Sequence, residues 1–282
     1  MKAFSFSTAA RNGAYQSAAT WALAALVFAS QSVSANLVGV RLGTASDYAV
    51  LAGSGITVAG AAESTTITGD IGSSPTPAIT GLGNVVLNGV NQAGNAVTAQ
   101  AKTDLAMAYD DAAGRAYNMT YALGYDFAGQ TLTAGVYNDA SSFFLSGTLT
   151  LDAQGNPQSV FIFQTGSTFI TASDSKVVLI GGAQACHVFW QVGSSATLGT
   201  DTDFMGTILA ATSITLDTGA TLDGRALALN GAVTLDDNSI TTPVCAATGP
   251  VTGVPDGGNT LALLGLGLGG LSVLRRRLIL KH

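Results

Sequence analysis

The feature that most limits what this chain can fold into is a set of imperfect internal repeats between Gln130 and Ile240. Val160-Phe-Ile-Phe-Gln-Thr-Gly-Ser-Thr returns 27 residues later as His187-Val-Phe-Trp-Gln-Val-Gly-Ser-Ser. Gly206-Thr-Ile-Leu-Ala returns after 18 residues as Gly224-Arg-Ala-Leu-Ala, and Ser213-Ile-Thr-Leu-Asp returns as Ala232-Val-Thr-Leu-Asp. Short apolar or alternating runs punctuated by Gly, Asp and Asn fill the intervals, the pattern of strands joined by tight turns. Periods of this size, with Leu, Ile and Val held in step, predict a solenoid whose coils bury their apolar residues on one another. A β-sandwich of unrelated short strands is the competing architecture, although such strands seldom repeat GxxLA at a fixed offset.

One segment departs from the β pattern. Asn95 to Tyr117 is Ala-rich and free of Pro, and Val97, Ala101, Leu105, Ala108 and Ala112 recur at helical spacing. This predicts a helix over about 95–117 whose apolar stripe packs lengthwise on one solenoid face and leaves the others open. Leu42 to Gly89 again reads as short strands and turns, with Thr57, Thr65, Thr66 and Thr68 alternating with small or apolar residues. It is expected to supply further coils, stacked beside the C-terminal ones out of sequence order.

Both ends of the chain read as targeting segments. Lys2 and Arg11, an apolar run from Ala18 to Ala29, and Val33 and Ala35 at small-residue cleavage positions form the pattern of a secretory signal peptide over 1–35. A membrane-spanning helix is the alternative, but the run is well short of the roughly 20 residues a bilayer core requires. At the other end, Val254-Pro255-Asp256-Gly257-Gly258 precedes an apolar, Gly-rich stretch from Leu261 to Leu274 and then Arg275, Arg276 and Arg277, charges that favour the cytoplasmic side. This tail over 251–282 resembles the PEP-CTERM class of sorting signals in a VPDGG-like variant. The resemblance implies recognition by a membrane transpeptidase at Val254 to Gly258 and only transient membrane association; a plain C-terminal anchor is the alternative. Either way the intervening domain, 36–250, is expected outside the cytoplasm.

Charge narrows the partners. Between 36 and 254 there are five basic residues (Arg41, Lys102, Arg115, Lys176, Arg225) against sixteen acidic ones, a net charge of −11. Such a surface repels phosphate backbones, so no nucleic-acid partner is expected. Only 10% of the whole chain is charged, so small polar groups and methyls must cover the surface. Cys186 and Cys245 are the two cysteines, and an oxidising compartment would let them pair as a disulfide. A catalytic thiol or a metal site is disfavoured because no second cluster of Cys, His or carboxylates lies nearby in sequence; no metal and no cofactor is expected.

Several segments taken together are similar to the microbial ice-binding protein family. These are Leu42-Gly-Thr-Ala-Ser-Asp-Tyr-Ala-Val-Leu-Ala-Gly-Ser-Gly-Ile-Thr, Thr68-Gly-Asp-Ile-Gly, the Ala-rich helix, Leu132-Thr-Ala-Gly-Val-Tyr, Val188-Phe-Trp-Gln-Val-Gly-Ser-Ser-Ala-Thr-Leu-Gly and Gly224-Arg-Ala-Leu-Ala-Leu-Asn-Gly-Ala-Val-Thr-Leu. The resemblance runs from about Leu42 to Ile240. It implies a mainly β fold, a discontinuous right-handed β-solenoid of triangular cross-section with one long helix along a side. It also implies that the partner is an ice crystal surface, met by one flat face.

A solenoid suits that task physically. Equivalent residues in stacked coils sit about 4.7–4.9 Å apart, and Thr holds a methyl and a hydroxyl side by side on a restricted χ1. Some family members carry a Thr-(Ala/Gly)-X-(Thr/Asn) motif on the ice face, and Thr218-Gly219-Ala220-Thr221 fits it. The repeat offsets place Thr200 and Thr202 one coil earlier and Thr171-Ala172-Ser173-Asp174 before that. Thr197 and Thr168 complete the candidates. Asp174, Asp201 and Asp203 depart from the motif, and ordinary solenoid surface is the competing reading for any single Thr.

Solenoids also carry carbohydrate-active enzymes, which place carboxylates or a base over a sugar. His187 is the one histidine of the domain and opens an apolar strand, as a core or edge histidine does. Asp201, Asp203, Asp217, Asp223, Asp236 and Asp237 could form a ladder, but Asp is also a common turn residue, and a Ca²⁺ site among them is the less favoured reading. No nucleophile elbow, P-loop or HExxH element is present. The expectation is a binding protein and not an enzyme, with cell-surface or matrix adhesion as the alternative function.

Overall fold

The computed structural model describes residues 37–246. The expected signal peptide and the sorting signal, including Val254 to Gly258, lie outside the described residues. Among those described, no helix is long and apolar enough to cross a membrane.

Strands form a fourteen-stranded and a seven-stranded sheet, and every strand pairing among the described residues is parallel. That sets aside the sandwich, whose sheets are antiparallel. The repeats are the coils. Phe163 pairs with Trp190 across the 27-residue offset, and Gly206 with Gly224 across the 18-residue one. Ile214 pairs with Val233.

Each coil has three sides. In one, Val188–Val192 lies under the helix and Ala196–Leu198 joins the seven-stranded sheet. The eight-residue strand Asp203–Ala210 then begins on a third side and rounds the corner back to the helix side. Gly206 makes that corner: its φ is +108°, and a Cβ there would lie 2.7 Å from the Val188 carbonyl oxygen. The longer coils carry their extra residues at the same corner, in the longer third-side strand Lys176–Ile180 and the turn that leads to Ala185–His187.

The N-terminal coils stack on the C-terminal end out of sequence order, as expected. Val50 pairs with Ala226, Thr57 with Thr234, and Thr66 with Ser239. Alternation dictates which side chains face in. In Ile214-Thr-Leu216 and Val233-Thr-Leu235 the aliphatic residues are wholly buried and the central Thr points out.

The helix spans Ala96–Gly114, somewhat shorter than the sequence predicts, because Arg115 is already extended. It lies on the side carrying Leu51, Ile162, Phe189, Leu209 and Leu227, with Ala101, Leu105, Ala108 and Ala112 beneath it. Val97, expected in that stripe, is 53% exposed. Thr98 is buried instead, its hydroxyl shared between the Gln92 carbonyl (2.5 Å) and Tyr48 Oη (3.0 Å). Polar contacts between helix and sheet side anchor the rest of the helix. Gln164 Nε2 donates to the carbonyls of Ala112 and Arg115, both at 2.8 Å, and so satisfies the helix C-terminus. Lys102 Nζ donates to the carbonyls of Ala228 and Leu229.

Cys186 and Cys245 form the expected disulfide, with Cα atoms 5.6 Å apart. It ties the segment after the last strand to the Ala185–His187 turn.

Candidate functional site

With the helix covering one side, two sides face solvent, and their outward rows differ in chemistry. On the seven-stranded sheet, Thr80, Thr57, Thr234, Thr215 and Thr197 are successive register partners, one per coil. The row continues through Ile170 and Phe144. No charged residue stands among its five threonines; beyond Phe144 its next partner is Asp126. Two residues earlier on the same strands, Ser142, Thr168, Ser195 and Ser213 form a second line of small hydroxyls, with Ser142 Oγ 2.9 Å from Thr168 Oγ1. Strand spacing sets the rungs about 4.8 Å apart, and the buried aliphatic and aromatic residues beneath hold them level.

The third side is different. Its row runs Val86, Thr66, Ser239, Thr221, Asp203, Lys176, Thr148. Lys176 Nζ lies 3.0 Å from Asp203 Oδ2, and the Thr221 hydroxyl donates to Asp203 Oδ1 at 2.8 Å. Both bonds, the Lys176 one first, hold the Asp203 carboxyl below the ordinary carboxylate range. Charges of this kind orient water around themselves and break the regularity that the threonine row keeps. The carboxylate of the seven-stranded side nearest that row, Asp236, lies two residues after Thr234 at the strand end and is engaged by the Thr218 hydroxyl.

The sequence-predicted threonines therefore separate. Thr197 stands within the regular row, and Thr168 in the second line. Thr221 stands on the charged third side. Thr200 and Thr218 sit at the corner between the two open sides, where their carbonyls accept N–H groups from Asp174 (2.9 Å) and Asp201 (3.0 Å); the Thr218 hydroxyl donates to the Asp236 carboxylate.

Thr171 and Thr202 are corrections: both are buried, at 3% and 0% exposure. Thr171 occupies the inward position that Leu145 and Leu198 take in neighbouring coils. Its hydroxyl lies 2.9 Å from that of Thr202 and accepts the Gly199 N–H at 2.8 Å. The register also makes Ser173-Asp174-Ser175-Lys176, not Thr171 to Asp174, the counterpart of Thr200 to Asp203.

Asp174, Asp201 and Asp237 have φ of 59°, 56° and 53° in successive turns, the place Gly219 (φ 76°) holds in the coil between. Asp is among the few residues that tolerate this left-handed region. The acidic ladder therefore divides: Asp201 and Asp237 stand in turns stacked along one corner, whereas Asp203 and Asp223 lie in strands of the third side.

Thr57, Thr80, Thr215 and Thr234 were missed as site candidates. Their signal was present in the repeat Ile214-Thr-Leu and Val233-Thr-Leu, where a Thr between two buried aliphatics must face outward.

Residues 50–241 match the family model described as Ice-binding-like, and residues 253–278 match that of a VPDSG-CTERM motif. The chain is 45% identical over 248 residues to an ice-binding protein of Nostoc sp. (strain HG1), covering 87% of this chain and 90% of that one. A solved ice-binding protein from an Antarctic biological consortium superposes with a TM-score of 0.71 at 47% identity, over 74% of this chain and 93% of the other. That of the ascomycete Antarctomyces psychrotrophicus gives 0.70 at 38% identity, over 73% and 100%. With its solenoid, its helix and most of its length matched in this way, the chain belongs to the ice-binding-like family.

Proposed function

We propose that this protein binds ice through the seven-stranded side, with the row Thr80, Thr57, Thr234, Thr215 and Thr197 as its centre. The observation that carries the reading is that five in-register threonines follow one another with no charge among them. Their methyls and hydroxyls order water without the strong local hydration of a carboxylate or ammonium, and the solenoid fixes them before ice is met, so little ordering entropy is lost on contact. Relatives that carry the name ice-binding protein support the same role.

The role is one of binding and not catalysis. Carboxylates that could have served a sugar-cleaving site are engaged in the fold: Asp236 by Thr218, Asp203 by Thr221 and Lys176, Asp237 by the Ala61 N–H. In this reading residues 1–35 are a secretory signal, 36–250 the working domain and 251–282 a tail processed by a membrane transpeptidase. Export to the cell surface or beyond follows.

Thermal hysteresis and ice recrystallisation inhibition test the assignment. Thr215→Tyr places a bulky ring in the centre of the row and is expected to abolish both, with circular dichroism unchanged. Thr221→Tyr, on the third side, is expected to retain them. Loss in the second variant and not the first would move the site to the third side, and no ice shaping by the folded wild type would sink the reading.

A further inference from the structure

The residue that follows Cys186 in the chain also meets the other half of the disulfide. His187 Nε2 lies 3.7 Å from Cys245 Sγ, and His187 Nδ1 lies 3.0 Å from the Pro157 carbonyl oxygen. A carbonyl only accepts, so Nδ1 carries a proton, and in the neutral imidazole the Nε2 lone pair is turned toward the sulfur. The ligand atoms of Cys186, His187 and Cys245 all lie within 4.8 Å of one another.

We propose that these three residues form a redox-gated site for a thiophilic d¹⁰ cation such as Zn²⁺, closed while the disulfide stands and opened by its reduction. A dithiol reductant transfers two electrons to the S–S bond, leaving two cysteine thiols and its own disulfide. The cation then displaces both thiol protons to water and takes two thiolates and the His187 Nε2 lone pair. Solvent fills the fourth position. Zinc bound at about 2.3 Å to sulfur and about 2.0–2.1 Å to nitrogen sets ligand atoms roughly 3.6–3.8 Å apart in a tetrahedron. The His187 to Cys245 distance already has that value, so what remains is for the two sulfurs to separate and for Cys186 Sγ, within 4.8 Å of the others, to settle at the same spacing.

Two further features make this a prepared site. The Pro157 carbonyl orients the imidazole in the way an outer-sphere carbonyl orients a metal-binding histidine. Cys245 is also held on both flanks without the disulfide: Thr242 N–H and Oγ1 donate to the Thr68 carbonyl at 3.0 and 3.2 Å, and Ala246 N–H donates to Gln184 Oε1 at 2.5 Å. Gln184 Nε2 in turn donates to the Pro157 carbonyl at 2.9 Å. Reduction therefore leaves the second thiol beside the first. The exposure of Cys245 admits both reductant and ion.

The test is Zn²⁺ titration of the full chain, oxidised and after phosphine reduction, against a chromophoric chelator, with Co²⁺ substitution as a spectroscopic probe. The reduced chain is expected to take one Zn²⁺ at least 100-fold more tightly than the oxidised chain and to show a sulfur-to-cobalt charge-transfer band. His187→Ala is expected to lose at least tenfold in affinity, and the double substitution Cys186→Ser with Cys245→Ser to lose binding altogether. Equal zinc affinity of oxidised and reduced chains would overturn the proposal. So would full affinity in His187→Ala, or collapse of the circular dichroism on reduction, since the site requires the flanking bonds to hold Cys245 in place.

Discussion

The rings of Phe163 and Trp190 stack 4.0 Å apart and only 9° from parallel. They occupy the same inward position in successive coils, and Tyr137 stacks on Phe163 from the coil before. Strand register thus becomes a ladder of aromatic faces inside the solenoid, and Trp190 also donates its indole N–H to the Met205 carbonyl at 3.0 Å. Trp190→Ala removes a wholly buried ring and that donor. A loss of about 3–5 kcal/mol is expected from the cavity alone, read as a lower midpoint in chemical denaturation.

Ile170 interrupts the threonine row where Thr197 would otherwise have a like neighbour, and it is 39% exposed. Replacing it with Thr lengthens the regular row by one coil at no cost to the core. Ile170→Thr is expected to raise thermal hysteresis relative to wild type. Unchanged or lower hysteresis from the folded variant would mean that the active area ends short of this coil.

Gly224 sits where a Cβ would come within 1.9 Å of the Gly206 carbonyl oxygen, in the strand that rounds the corner between the third side and the helix side. Backbone cannot move aside as a flexible side chain can. Gly224→Ala is expected to cost several times the ~1 kcal/mol of a typical point substitution and to lower both soluble yield and melting temperature. Gly155, with nothing within 4 Å of its added Cβ but φ at +83°, provides the milder comparison.

Burial pushes the Lys102 ammonium down to about 8 from its ordinary 10.5. Above pH 8 the folded chain sheds that proton while the unfolded chain keeps it until about 10.5. The unfolded state then binds more protons, so stability rises with pH across this window and levels off beyond it. Bonds from the ammonium to the Ala228 and Leu229 carbonyls favour its charged form and limit the gain to about 1–3 kcal/mol. Denaturation midpoints measured from pH 7 to about 9.5, below the range where the tyrosines raised by burial begin to work in the opposite direction, should show the rise in wild type and its disappearance in Lys102→Met.

The sequence by itself determined the coil. Repeats at 18 and 27 residues place like residues in like environments, and strand alternation decides that Ile214 and Leu216 go in while Thr215 goes out. These are local properties of the chain, read from neighbours along it, and so was the helix. Tertiary structure decided what depends on neighbours across coils. Thr202 is buried because Thr171, 31 residues away, meets its hydroxyl. Thr221 stands in a charged row because the coil before presents Asp203 beside it on the third side. Thr57 joins the face only because the N-terminal coil docks beside Thr234, a pairing set by which end of the stack has open backbone groups and unburied apolar side chains to satisfy. His187 likewise meets Cys245 across 58 residues. Sequence spacing fixes the side a residue points to; only the register between distant coils fixes what stands next to it.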